Sequence, residues 1–98
     1  SFEEVKNTIT IEELAKDLRM KPDELMKESL ETFLKHKLRV IESELFLLAK
    51  RYGVRDVQEF DKMIQEGKFH EEDAFEDYFK FDNLEAERDL ILEYLDKL

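Results

Sequence analysis

From Pro22 to Tyr52 nothing in the sequence interrupts a helix, and that uninterrupted run constrains the fold more than any other feature. Pro22 suits a first helical position, with Asp23 and Glu24 beside the positive end of the helix dipole. Gly53 is a natural left-handed stop. Met26, Leu30 and Phe33 mark a first apolar stripe. Leu34, Leu38, Ile41, Leu45, Leu48 and Tyr52 then step by fours and threes, the spacing of a coiled-coil seam. Such a seam must be covered along its length, and the expectation is that it pairs with a second copy of the chain. The segment Leu45 to Ala49 is apolar all round and calls for a further covering layer.

The segments around this helix are short. Val5 to Ile11 alternates, with Val5, Ile9 and Ile11 on one side and Lys6, Thr8 and Thr10 on the other, which favours a short strand. A competing reading begins a helix here, since Thr10 and Glu13 form a capping box ahead of Ile11, Leu14, Ala15 and Leu18. Asp56 caps a helix carrying Val57, Phe60, Met63 and Ile64, closed by Gly67. The rest reads as helix, broken near Asp82–Asn83, where Asp82 and Glu85 suggest a new cap. The expected fold is mainly α: a long central helix with short flanking helices and a short N-terminal strand, dimeric. Residues 1–55 form the dimerisation region and 56–98 an acidic partner-binding region of one continuous domain.

Charge divides the chain at the same place. Residues 1–55 carry eleven basic and eleven acidic side chains, whereas 56–98 carry five against fifteen, so the net −10 belongs to the second part. One neutral and one acidic region suggest two surfaces with different partners. No cysteine is present, which excludes disulfides and thiolate metal sites. No apolar run approaches the roughly 18 residues of a membrane span, and no signal peptide is read, so the expectation is a soluble, cytoplasmic protein.

Signs of chemistry are sparse. Ser1, Ser29 and Ser43 lie in no nucleophile motif, and His36 and His70 lie in separate segments. His70, Asp73 and Asp77 could approach one another on a helix, but the Glu-x-x-His pairs of a carboxylate metal bundle are missing. No enzyme activity, cofactor or metal is expected. The stretch EDAFEDYFKFDNLEAERD instead sets Phe75, Tyr78, Phe79 and Phe81 among carboxylates that include Asp77 and Asp82. Phe75, Tyr78 and Phe79 share a helix face and Phe81 lies off it. A plainer reading packs Phe75, Phe79 and Leu84 on Leu45, Phe46 and Leu48 as the chain's own core.

NTITIEELAKDLRMKPDELMKESLETFLKHKL resembles a ribbon–helix–helix domain of the kind found in prokaryotic type II antitoxins. The later part, RYGVRDVQEF with GKFHEEDAFEDYFKFDNLEAERD, is similar to the acidic tails of such proteins. The resemblance implies a homodimer whose paired strands bind operator DNA, with Lys6, Thr8 and Thr10 as base-reading residues. It also implies a C-terminal region that inhibits a basic toxin, often a ribonuclease, through Phe75, Asp77, Tyr78, Phe79, Phe81 and Asp82. Where the family's turn has Gly and then a Ser or Thr cap, this chain has Arg19 and Lys21. The alternative is a helical oligomerisation or adaptor protein with neither ligand. Charge reversal at Asp77 and Asp82 is expected to weaken partner binding with little loss of fold.

Overall fold

A computed structural model describes residues 9–69 and 72–98, and these form four helices. They are α1 (Ile11–Asp17), α2 (Pro22–Tyr52), α3 (Val57–Gln65) and α4 (Asp73–Lys97). No strand occurs among the described residues. The expected strand ends inside α1, because Ile11 is already helical, and Val5 to Thr8 lie outside the described residues. None of the described helices is long and apolar enough to cross a membrane.

Local chemistry accounts for the helix boundaries. Thr10 is extended, and its hydroxyl accepts a hydrogen bond from the Glu13 amide at 3.2 Å, which starts α1. The helix ends over Arg19, whose φ of 59° is left-handed, while the Met20 amide reaches back to the Ala15 carbonyl at 2.8 Å. Arg19 therefore does the work of the missing glycine, at a cost of about 1–2 kcal/mol for a side chain in that conformation. Pro22 opens α2, and Gly53, with φ 65°, closes it by donating to the Ala49 carbonyl. Asp56 accepts from the Glu59 amide at 2.8 Å and starts α3.

The seam of α2 is covered, but by the same chain. α4 packs along α2 as an antiparallel partner, with Lys37 meeting Glu87 and Arg51 meeting Asp73 and Asp77. Ile41, Leu45, Leu48 and Tyr52 are buried in the main core with Ala74, Phe81, Leu84 and Ile91. Leu34, Leu38 and Leu95 pack against that cluster. The expectation that Leu34 to Tyr52 pairs with a second copy is thus corrected: the seam is used up inside one chain. Its counterpart on α4 runs Ala74, Asp77, Phe81, Leu84, Arg88, Ile91 and Leu95, stepping by threes and fours throughout.

The expected break at Asp82–Asn83 is also corrected, since α4 is continuous from Asp73 to Lys97. Neither residue forbids helix, as each costs only a few tenths of a kcal/mol there. Phe81 and Leu84 flank the pair and are both buried against α2, so packing keeps the helix whole.

α3 covers one side of this hairpin near its closed end. The Val57 amide donates to the Glu85 carboxylate at 3.0 Å, tying the start of α3 to the middle of α4. α1 lies against α2 and buries Ala15 and Leu25 in a small contact separate from the main core. The result measures 59 × 33 × 17 Å.

Candidate interaction surface

The aromatic side chains sort into an inner and an outer set, and the division follows from where α3 lands. Phe60 comes in from α3 and is fully buried. Its ring stacks on Tyr52 at 4.3 Å between centroids and meets the edges of Phe69 at 5.5 Å, Phe81 at 6.1 Å and Tyr78 at 6.2 Å. Rings at these separations attract beyond the area they bury, by roughly 0.5–1.5 kcal/mol per pair. Phe81 is only 1% exposed, so its expected place on a partner surface is corrected. The ring that leaves the shared face of Phe75, Tyr78 and Phe79 does so because it points into the core.

Asp77 also faces inward. Its carboxylate accepts a hydrogen bond from the Tyr52 hydroxyl and lies 3.0 Å from Arg51 Nη1, with only 17% of the side chain exposed. Arg51 in turn stands 5.3 Å over the Tyr52 ring. A carboxylate at a seam position requires such partners, because an unpaired charge there would lose its hydration without return. The expected free partner contact at Asp77 is therefore a structural contact between α2 and α4.

The outer set is Phe75 and Phe79, one turn apart on the side of α4 away from α2. They are 58% and 62% exposed. Tyr78, half-buried, stands between the sets: its ring meets Phe60 inside and Phe79 outside, the latter at 5.5 Å. The negative charge of Asp61, burial and then Asp82 push the Tyr78 phenol up. Glu72, Glu76 and Asp82 surround the exposed rings and have no ion-pair partner among the described residues. Two rings on a ledge rimmed by solvated carboxylates form a surface with an apolar centre and an anionic border.

Of the residues expected to read DNA, Lys6 and Thr8 lie outside the described residues, and Thr10 spends its hydroxyl on capping α1. His70, of the weighed metal cluster, is likewise outside them. Among the described residues no group of three His, Asp or Glu side chains is placed to hold a metal ion. Of the plainer reading, in which the chain's own tail covers α2, Leu84 is buried with Leu45 and Leu48 as expected, whereas Phe75, Phe79 and Phe46 are exposed.

A sequence model of the family described as the uncharacterized protein MJ0235 family matches residues 5–98. That is nearly the whole chain. The chain belongs to the MJ0235 family. No curated protein and no solved structure matches it. The span matched to the MJ0235 family takes in all four helices. Phe75 and Phe79 lie within the matched span. In this MJ0235-family chain, Phe75 and Phe79 lie exposed on α4.

Proposed function

We propose that the chain is a non-enzymatic binding protein that holds a basic protein partner on the outer face of α4. The observation that carries this reading is the exposure of Phe75 and Phe79 within a border of carboxylates that have no ion-pair partner among the described residues. Rings on a rigid helix supply anchoring area at low conformational cost, and carboxylates around them steer a cationic surface into place. In its most specific form the reading is that of a type II antitoxin neutralising a basic, ribonuclease-type toxin. The acidity of residues 56–98 supports that form, because a protein that grips RNA phosphates presents a positive surface. The operator-binding part of it would rest on the N-terminal segment.

Co-expression with a basic protein encoded by the adjoining gene tests the reading. A complex should form at low salt and dissociate as salt rises. Phe75→Ala with Phe79→Ala should weaken it about 100-fold, the effect of losing two anchoring side chains, while helicity is unchanged. No complex at low salt, or one indifferent to both rings, would contradict the proposal. A second reading, a helical oligomerisation or adaptor module without toxin or DNA, draws support from the burial of Phe81 and from the apolar stripe left uncovered on α2.

A further inference from the structure

α2 is apolar on more than its seam. Met26, Leu30, Phe33, Val40 and Leu47 are all exposed. They step by four, three, seven and seven residues, so they form a straight second stripe. Phe33, Val40 and Leu47 each immediately precede a seam residue, Leu34, Ile41 or Leu48. One residue is roughly 100° of helix rotation, which places this stripe about a quarter-turn from the seam. It lies on a broad face of the hairpin and does not look toward α4.

The ion pair between Lys37 and Glu87, 3.8 Å, shows which side of α4 shares that face. Lys37 stands in line with the stripe, four residues after Phe33 and three before Val40. Leu90, Tyr94 and Leu98 follow Glu87 at helical spacing and are exposed too. Eight large side chains therefore look out from one broad face. Met26 to Val40 and Leu90 to Leu98 gather toward the end of the hairpin away from α3. A helix apolar on two sides is ordinarily covered on both, and a domain needs two packed layers to close a core. Among the described residues nothing covers this face.

We propose that a second copy of the chain covers this face, the end of the hairpin away from α3 in each copy lying against the same end of the other. Area fits. A half-exposed large side chain offers about 90 Å², scaled from the 150–250 Å² of a wholly buried ring. The eight together give about 700 Å² per copy, close to the roughly 800 Å² per partner of a stable interface. The dimer uses neither the α2 seam nor the Phe75–Phe79 surface, so it stands or falls apart from the partner-binding reading.

Sedimentation equilibrium with far-UV circular dichroism tests it on the full chain. The wild type should sediment at twice 11.9 kDa. Val40→Glu should raise the dimer dissociation constant about 100-fold or more with helicity retained, because it brings unpaired carboxylates into an apolar contact. Phe79→Glu should leave association unchanged. A wild-type monomer at about 100 µM, where an interface of ordinary size is saturated, would overturn the proposal. So would a dimer indifferent to Val40→Glu.

Discussion

Phe60→Ala is expected to destabilise the fold by about 3–5 kcal/mol, the usual cost of deleting a buried ring. Phe60 is the point at which α3, α2 and α4 meet: its ring touches Tyr52 of α2 and both Tyr78 and Phe81 of α4. Truncation would remove the stacked contact with Tyr52 and leave a void beside Phe81, which has no solvent side from which to relax. A domain of this size has only about 5–15 kcal/mol of stability in total, so the variant should be largely unfolded near its working temperature. Urea denaturation followed by circular dichroism measures the loss. Phe79→Ala serves as the control and should change stability by about 0.5 kcal/mol or less, since that ring stands in solvent. Similar effects at the two positions would contradict the division into inner and outer rings.

Asp77→Lys should cost about 2–3 kcal/mol, whereas Asp82→Lys should cost about 0.5 kcal/mol or less. The two aspartates look alike in the sequence, and both were expected on a partner surface. In the fold only Asp82 is a surface residue. Lysine at position 77 removes the acceptor for the Tyr52 hydroxyl and places a second cation against Arg51. A hydrogen bond to a charged group contributes about 1.5–3 kcal/mol, and the new repulsion adds to its loss. Paired urea denaturation of the two variants makes the comparison. Equal, small losses would show that the contact among Arg51, Tyr52 and Asp77 contributes little to holding α4 on α2.

The sequence made the helices legible where a local residue decides the outcome. Pro22, Gly53 and Asp56 fix ends of α2 and α3, and the read bounds of α2 agree with those observed. The capping box of Thr10 and Glu13 was equally readable, because the hydrogen bond spans three residues and needs nothing distant. What the sequence obscured was pairing. The seam on α2 was evident, but a seam shows only that something covers it. The covering repeat on α4 runs through the expected break at Asp82–Asn83, so only its later part, from Leu84 on, read as one stripe. The capping box at Asp82 then suggested a helix end where burial of Phe81 and Leu84 carries the helix through.

The candidate site was legible to the same extent. Spacing placed Phe75, Tyr78 and Phe79 on one face and Phe81 off it, and that geometry is observed. Spacing could not say which of the two faces points inward. That depends on α3, whose Phe60 fills the space next to Phe81 and leaves Phe75 and Phe79 outside.

All of these expectations depend on α4 closing the seam of its own α2, leaving the outer faces for other molecules. The chain contains no cysteine, so nitroxide labels can be placed cleanly at Lys37→Cys and Glu87→Cys, whose native side chains meet at 3.8 Å. Electron–electron distance measurement on this doubly labelled chain, diluted into an excess of unlabelled wild type, is the most direct test. The predicted result is a short distance that persists undiminished at every dilution, because both labels belong to one hairpin. A short distance that fades as unlabelled chains are added would place α4 on another chain's α2, and the account would be wrong.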